Sequence, residues 1–175
     1  MEYKIDIYKN SDDNRLRYAL GIKGNNPLVV LALNPSTADE KKPDRTIRKV
    51  MGIADGAKKD GFIVINLYPL RATSPNDLPI EFNNEYHQTN LETIDAILKD
   101  YEEIDVLVAF GSNIGMRSYL KDCLKDIVEI IGKHKTNWRK TGPLTKYGHP
   151  RHPLYVRYAE GLTPFNMEEY TTKRI

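Results

Sequence analysis

Continuous apolar runs alternate along the chain with segments whose apolar residues recur at three- and four-residue spacing. The runs have the length of strands and lack polar alternation, which is typical of strands covered on both faces. They span residues 28–33, 62–67 and 105–110. The periodic segments predict helices at residues 46–59, 84–100 and 113–132. Because these strands and helices alternate with short links, we predict an α/β fold of three layers with a mainly parallel central sheet of about four strands.

Two shorter segments of alternating character precede this pattern. Residues 2–9 and 16–23 are separated by the polar stretch Asn10-Ser11-Asp12-Asp13-Asn14, which predicts a β-hairpin over residues 1–24. No stretch has the composition of a domain linker, so we predict a single domain over residues 1–175. Its α/β core is expected at residues 25–160 and a C-terminal tail at 161–175.

The composition is that of an ordinary globular protein. The 175 residues are 40% hydrophobic and 29% charged, which argues against a disordered or fibrous chain. The longest apolar run, residues 28–33, is too short to span a bilayer. Glu2, Lys4 and Asp6 stand where a signal peptide needs apolar residues. We therefore expect a cytoplasmic protein with no membrane partner.

The chain has one cysteine, Cys123, which cannot close an internal disulfide or supply a cysteine-based metal site. It shares a predicted helical face with Leu124, Ile127 and Ile131, so we expect a buried structural thiol with no disulfide partner. Neither a cofactor nor a metal ion is expected.

Charge is distributed unevenly along the chain. The formal net charge is +2, yet residues 130–159 hold seven Lys and Arg, three His and no acid. The other 145 residues carry 19 basic against 24 acidic side chains. Such asymmetry favours a phosphate-bearing partner, a nucleic acid or a nucleotide. A solvated basic face is the alternative interpretation.

Polar side chains follow the apolar runs, at the edge of a parallel sheet where ligands bind. The candidates at this edge are Asn34, Ser36, Thr37, Asp39, Asp44, Arg48, Asn66, Arg71 and Gly111. Turn formation is the simpler role for Ser36 and Thr37, and helix capping is the simpler role for Asp44. Asn66 stands within an apolar strand, where its amide could offer a donor and an acceptor to the edge of a nucleobase.

A late loop within the acid-free segment combines histidine, arginine and proline. His149-Pro150-Arg151-His152-Pro153-Leu154-Tyr155 is stiffened by its prolines and rich in groups that bind anions or exchange protons. The two histidines are three residues apart, but no third metal ligand is evident.

Four segments together resemble a bacterial and phage family catalogued as domain of unknown function 1643. They are Leu33-Asn34-Pro35-Ser36-Thr37-Ala38-Asp39, Asp44-Arg45-Thr46-Ile47-Arg48, Asn66-Leu67-Tyr68-Pro69-Leu70-Arg71-Ala72-Thr73 and His152-Pro153-Leu154-Tyr155. The resemblance extends from about residue 17 to residue 158. It implies no activity, since the family has none in its description.

More distantly, the order of these motifs resembles the uracil-DNA glycosylase superfamily, and this resemblance implies a glycosylase-like fold. Asn34 matches the residue that positions or activates the attacking water, and Asn66 matches the amide that reads a flipped base. His149-Pro150 or His152-Pro153 matches the motif whose histidine stabilises the departing base. The chain departs from the pattern because no aromatic residue for stacking lies between Ser36 and Ile47. Tyr68 or Tyr155 could serve instead.

Three functions are compatible with these residues. The first is glycosylase-like hydrolysis of an N-glycosidic bond, with Asn34, Asp39 and His152 as catalytic residues. The substrate-binding residues would then be Ser36, Thr37, Asp44, Arg48, Asn66, Arg71, Gly111, His149, Arg151 and Tyr155. The second is non-catalytic recognition of modified nucleotides or nucleic acid, in DNA modification or phage–host conflict. The third is hydrolysis of small-molecule nucleotides.

Overall fold

The computed structural model describes residues 1–175 and contains one sheet of seven strands with four α-helices. The strands are β1 (Ile7–Asn10), β2 (Arg17–Ile22), β3 (Pro27–Ala32), β4 (Gly61–Asn66), β5 (Glu103–Val108), β6 (Lys135–Lys140) and β7 (Thr163–Pro164). The helices are α1 (Arg45–Gly56), α2 (Asn84–Leu98), α3 (Tyr119–Ile131) and α4 (Met167–Arg174). None of the helices is both long and apolar enough to cross a membrane.

The strand order is β1-β2-β4-β3-β5-β6-β7. The four central strands, β4, β3, β5 and β6, are parallel to one another. Antiparallel pairs extend the sheet on both sides, β1 and β2 at one edge and β7 at the other. The α/β class is confirmed, but the expected mainly parallel sheet of about four strands does not match. Parallel pairing is limited to these four strands. The antiparallel strands at the two edges bring the total to seven.

The strands β3 and β4 are buried on both faces, as their lack of alternation predicts, and the last three residues of β5 are buried as well. On β3, Val29 and Leu31 pack in the same cluster as residues of α2 and α3. Leu28 and Val30, which point to the opposite face, pack in a second cluster with Ile47 and other residues of α1. Cys123 belongs to the first cluster and is buried, which confirms the expected structural thiol. The sheet therefore lies between two helical layers.

The third helix begins later than the periodicity predicts. Residues Gly111–Gly115 form a 3₁₀ turn, and the α-helix starts at Tyr119 rather than at Asn113. Gly111 has a φ of +71°, in the left-handed region that glycine tolerates and a helix does not. The chain therefore makes a separate turn at the carboxyl end of β5 before α3 can begin.

Residues 161–175, predicted only as a tail, contribute β7 and α4. Met167 and Tyr170 of α4 are buried in the core cluster on the α2 and α3 side. The helix has eight residues and these are its only buried positions, so its apolar periodicity is too brief to recognise in the sequence.

The acid-free segment is partly neutralised in three dimensions. Its strand β6 pairs with β5, which places Lys135 beside Glu103 at 2.5 Å and Arg139 beside Asp105 at 2.7 Å. Lys59 also contacts Asp105, at 2.6 Å. Two of the three basic residues of β6 are therefore paired with acids, and only Lys140 has no acidic partner.

Candidate functional site

A cavity of about 580 Å³ opens where β3, β4 and β5 end, next to the first turn of α1 and the late loop. This volume lies within the range of roughly 300–1,000 Å³ typical of small-molecule sites. The structure brings most of the predicted residues together in its wall. They are Asn34, Ser36, Thr37, Asp44, Asn66, Gly111, Arg151, His152 and Tyr155.

Four predicted residues lie outside this cavity. Asp39 accepts the N–H groups of Lys41 and Lys42 in a turn. Together with Arg48 it lines an adjoining depression, which shares Thr37, Asp44 and Arg45 with the cavity. Arg71 donates to the Tyr8 hydroxyl, 2.8 Å away, and to the Ala38 carbonyl.

The remaining one, His149, bonds the Tyr170 hydroxyl of α4 through Nδ1 at 2.8 Å. Of the two histidines that the sequence left open, His152 is therefore the one in the cavity wall. Asn34, Asp39 and His152 are the three predicted catalytic residues. Only Asn34 and His152 line the cavity.

Asn66, the last residue of β4, has a side chain with no hydrogen-bond partner. It is 0% exposed, and neither Oδ1 nor Nδ2 makes a hydrogen bond. Its main-chain carbonyl accepts a bond from Asn90 Nδ2 at 2.9 Å. Val64 precedes Asn66 on the same face of β4 and also lines the cavity. The cavity wall thus holds an amide whose donor and acceptor have no partner within the chain, and both atoms lie beneath the surface of the cavity.

The amide of Asn34 is held in one orientation. Its Nδ2 donates to the carbonyls of Pro35 and Ala72, each at 3.0 Å. Oδ1 accepts no hydrogen bond from the chain. Asn34 therefore offers the cavity a positioned acceptor, which suits a water molecule or a ligand N–H.

His152 offers a hydrogen-bond donor. Its Nδ1 accepts the N–H of Leu154 at 3.3 Å, so the proton of the neutral ring is on Nε2. Burial lowers the pKa of His152 below its usual value of 6.5, and the charge of Asp44 opposes that shift only in part. A Cβ on Gly111 would lie 3.4 Å from the His152 Cβ. Glycine thus lets the late loop approach the end of β5 closely.

Asp44 is the only carboxylate in the cavity wall, and both of its oxygens are engaged. Oδ1 accepts the Ile47 N–H at 2.9 Å as the N-cap of α1, and Oδ2 accepts the Ala38 N–H at 3.3 Å. The capping role therefore accounts for this residue. No acid in the wall is left as an evident proton acceptor.

Arg17 is a cavity residue that the sequence analysis missed. It is 2% exposed, forms no ion pair within 4.0 Å and donates only from Nη1, to the Ala38 carbonyl at 2.8 Å. Nε has no partner. Burial, reinforced by the nearby charge of Arg71, lowers the pKa of Arg17 to about 10. The group stays charged at neutral pH without a carboxylate partner.

A β-bulge explains how Arg17 reaches the cavity. Lys9 of β1 lies opposite Ala19 and Asn10 lies opposite Arg17, so Tyr18 is an extra residue in β2. Tyr18 neighbours Thr89 of α2, whereas Arg17 points to the cavity side. Since β2 runs antiparallel to β4, its first residues lie beside the end of β4. The predicted candidates all follow apolar runs, whereas Arg17 begins an antiparallel strand, so the sequence pattern does not indicate it.

Only one of the two proposed stacking residues lies at the cavity. Tyr155 is 75% exposed in its wall, with its ring centroid 6.0 Å from that of His152. Tyr68 is fully buried, and its hydroxyl accepts the Asn83 N–H. Phe110, at the end of β5, also lines the cavity. Phe110 directly precedes the predicted site residue Gly111, and this position in the sequence could have identified it as a cavity residue.

Comparisons with known proteins identify a family but no relative of known activity. A family model described as "Protein of unknown function (DUF1643)" matches residues 17–154, which confirms the family resemblance. No curated protein matches the chain, and no solved structure matches it. The resemblance to the uracil-DNA glycosylase superfamily has no support from these comparisons. Within the structure, no group of three or more His, Cys, Asp or Glu side chains is placed to hold a metal ion.

Proposed function

The chain belongs to this family of proteins of unknown function, and from its cavity we propose that it binds a nucleobase, carried by a nucleotide or a nucleic acid. Asn66 is the observation that carries the proposal. A buried amide without partners costs about 1–3 kcal/mol, so a ligand that supplies both partners recovers that free energy on binding. The edge of a nucleobase presents a donor and an acceptor side by side, which is the pattern that one amide matches.

The neighbouring groups suit a ligand with a planar ring. His152 would donate from Nε2 to a carbonyl oxygen of the base, while Tyr155 or Phe110 would contact its face. Asn34 lies in the same cavity with a free Oδ1. These are the roles that the resemblance to uracil-DNA glycosylases implies for Asn34, Asn66 and His152.

The same arrangement supports a hydrolytic reaction. Water held by Asn34 Oδ1 would attack the anomeric carbon while the bond from that carbon to the base nitrogen breaks. The electron pair leaves with the base, and the water proton passes to solvent. Negative charge then develops on the base, where the Nε2–H of His152 stabilises it as an oxyanion-type donor. A base within a duplex would first be flipped into the cavity.

Binding without turnover is the second candidate function, and Asp44 favours it. The oxygens of Asp44 accept two main-chain N–H groups, and an asparagine such as Asn34 cannot take a proton from water. The only carboxylate of the cavity is therefore already used as a helix cap, and the wall has no second acid to activate water.

One experiment separates these functions. The purified protein is incubated with free nucleotides and with oligonucleotides that contain uracil or modified bases, and both bound ligand and released base are measured. Binding with base release supports hydrolysis, whereas binding without release supports the recognition role. Asn66→Leu should abolish either activity, and Lys125→Ala, on the exposed face of α3, should leave both unchanged. If no base, nucleoside, nucleotide or oligonucleotide binds, the proposal is wrong.

A further inference from the structure

We propose that Arg17 and the first turn of α1 form an anion site in this cavity, which takes the phosphate monoester of a mononucleotide. The nucleoside part of this ligand rests on the proposed function above. The anion site itself depends on Arg17 and on α1, and it can be tested separately.

Arg17 lacks the partners that a buried cation needs. A charge removed from water is strongly destabilising unless ionic or hydrogen-bonded partners compensate for it. The guanidinium of Arg17 has one hydrogen bond, to the Ala38 carbonyl, and no carboxylate within 4.0 Å, although the charge of Asp44 acts on it from a greater distance. Arg71 donates to the same carbonyl, which adds a second positive charge nearby. An oxyanion in the cavity would compensate the charge of Arg17 and bond to its Nη2, which makes no hydrogen bond within the chain.

The first turn of α1 supplies further donors. The Ile47 N–H is bonded to Asp44, but the N–H groups of Arg45 and Thr46 make no hydrogen bond within the chain. Both residues line the cavity together with Arg17. Free N–H groups at a helix N-terminus attract anions, and the helix dipole adds to this attraction.

The balance of charge in the cavity wall also favours an anion. The charged residues there are Arg17, Arg45, Arg151 and Asp44. Three are cationic, and the single carboxylate already accepts two main-chain N–H groups.

A terminal phosphate fits this site better than the backbone of a nucleic acid. Arg17 is 2% exposed, and a phosphodiester would have to continue as a chain on both sides of it. A nucleic acid also needs a basic surface that follows its backbone, whereas Lys135 and Arg139 are paired with acids of β5. The observations therefore favour a free mononucleotide over a polymer.

The test is titration calorimetry with four probes: inorganic phosphate, nucleosides, the corresponding nucleoside 5′-monophosphates, and oligonucleotides without a terminal phosphate. We expect a monophosphate to bind at least about tenfold more tightly than its nucleoside, because charge-assisted bonds to phosphate are strong. Arg17→Met should remove this advantage and weaken inorganic phosphate binding to a similar extent.

Arg139→Met is the matched control. Arg139 lies on β6 outside the cavity, and its partner Asp105 keeps its contact with Lys59, so the loss of Arg139 should leave phosphate affinity unchanged. Arg17→Lys keeps a charge that can reach Ala38, and it should retain the fold with intermediate affinity. Circular dichroism of each variant checks folding.

The outcomes separate this inference from the proposed function. If nucleosides bind through Asn66 but phosphate adds nothing, or Arg17→Met binds phosphate as wild type does, the anion site is wrong and the base pocket stands. If phosphate binds through Arg17 but nucleosides do not bind, the base pocket is wrong and the anion site stands. Equal affinity for the oligonucleotides and the monophosphates would overturn the preference for a mononucleotide.

Discussion

Replacing Asn66 with leucine should make the protein more stable. The asparagine amide is fully buried and makes no side-chain hydrogen bond, so folding removes it from water without compensation. Such a group costs about 1–3 kcal/mol, and leucine has nearly the same shape without the polar atoms. We expect the free energy of unfolding to rise by about 2 kcal/mol in Asn66→Leu. For a chain of 175 residues this corresponds to an increase in Tm of roughly 4–8 °C.

The measurement is urea unfolding of both proteins without ligand, followed by circular dichroism. The midpoint should move to higher urea while the slope stays the same, because the surface exposed on unfolding hardly changes. Thermal scans then test the expected Tm. Most substitutions at buried positions lower the free energy of unfolding, so a higher value for Asn66→Leu would be a stringent test of the argument.

Asn90→Leu is the control for this experiment. Asn90 is equally buried, but its Nδ2 donates to the main-chain carbonyl of Asn66 at 2.9 Å. Its replacement leaves that carbonyl without this bond, so Asn90→Leu should be less stable than Asn66→Leu. If Asn66→Leu is destabilised by 1 kcal/mol or more, the amide has a partner such as ordered water. The argument from unsatisfied groups then fails.

Two further predictions follow from buried titratable groups. Burial lowers the pKa of both His149 and His152 below 6.5, so the unfolded chain binds protons more readily than the folded one. The free energy of unfolding should therefore fall as the pH drops through 6.5. Urea titrations of a His149→Gln/His152→Gln variant should show a smaller fall in this free energy. A fall equal to that of the wild type would contradict the prediction. Burial also raises the pKa of Cys123 to about 12, so an aromatic disulfide reagent at pH 8 should label it only after unfolding, and rapid labelling of the native protein would show that it is accessible.

The central layers and much of the candidate cavity could be predicted from the sequence. Strands buried on both faces lack polar alternation, and this feature identifies β3 and β4 directly. Their carboxyl ends meet at one edge, which is why Asn34 and Asn66 line the same cavity although 31 residues separate them.

The strands β6 and β7 could not be found in this way. β6 has the sequence Lys-Thr-Asn-Trp-Arg-Lys, and its position beside β5 rests on main-chain pairing and on ion pairs to Glu103 and Asp105. The spacing of apolar residues does not depend on such contacts, so it cannot predict this strand. For the same reason, counting charge along the chain overstates the positive surface of residues 130–159, because the neutralising acids belong to another strand.

The bulge in β2 makes the cavity depend on chain length as well as on side-chain identity. Inserting one residue between Lys9 and Asn10 would give Tyr18 a partner in β1 and remove the bulge, so that Arg17 and Ala19 would lie on the same face of the sheet. Arg17 would then turn towards α2 although no residue of the cavity had been substituted. An insertion in this hairpin is therefore a route by which evolution could remove a cation from the cavity in a single step. Homologues whose β1 is one residue longer opposite Tyr18 should differ from this chain in the ligand charge that they accept.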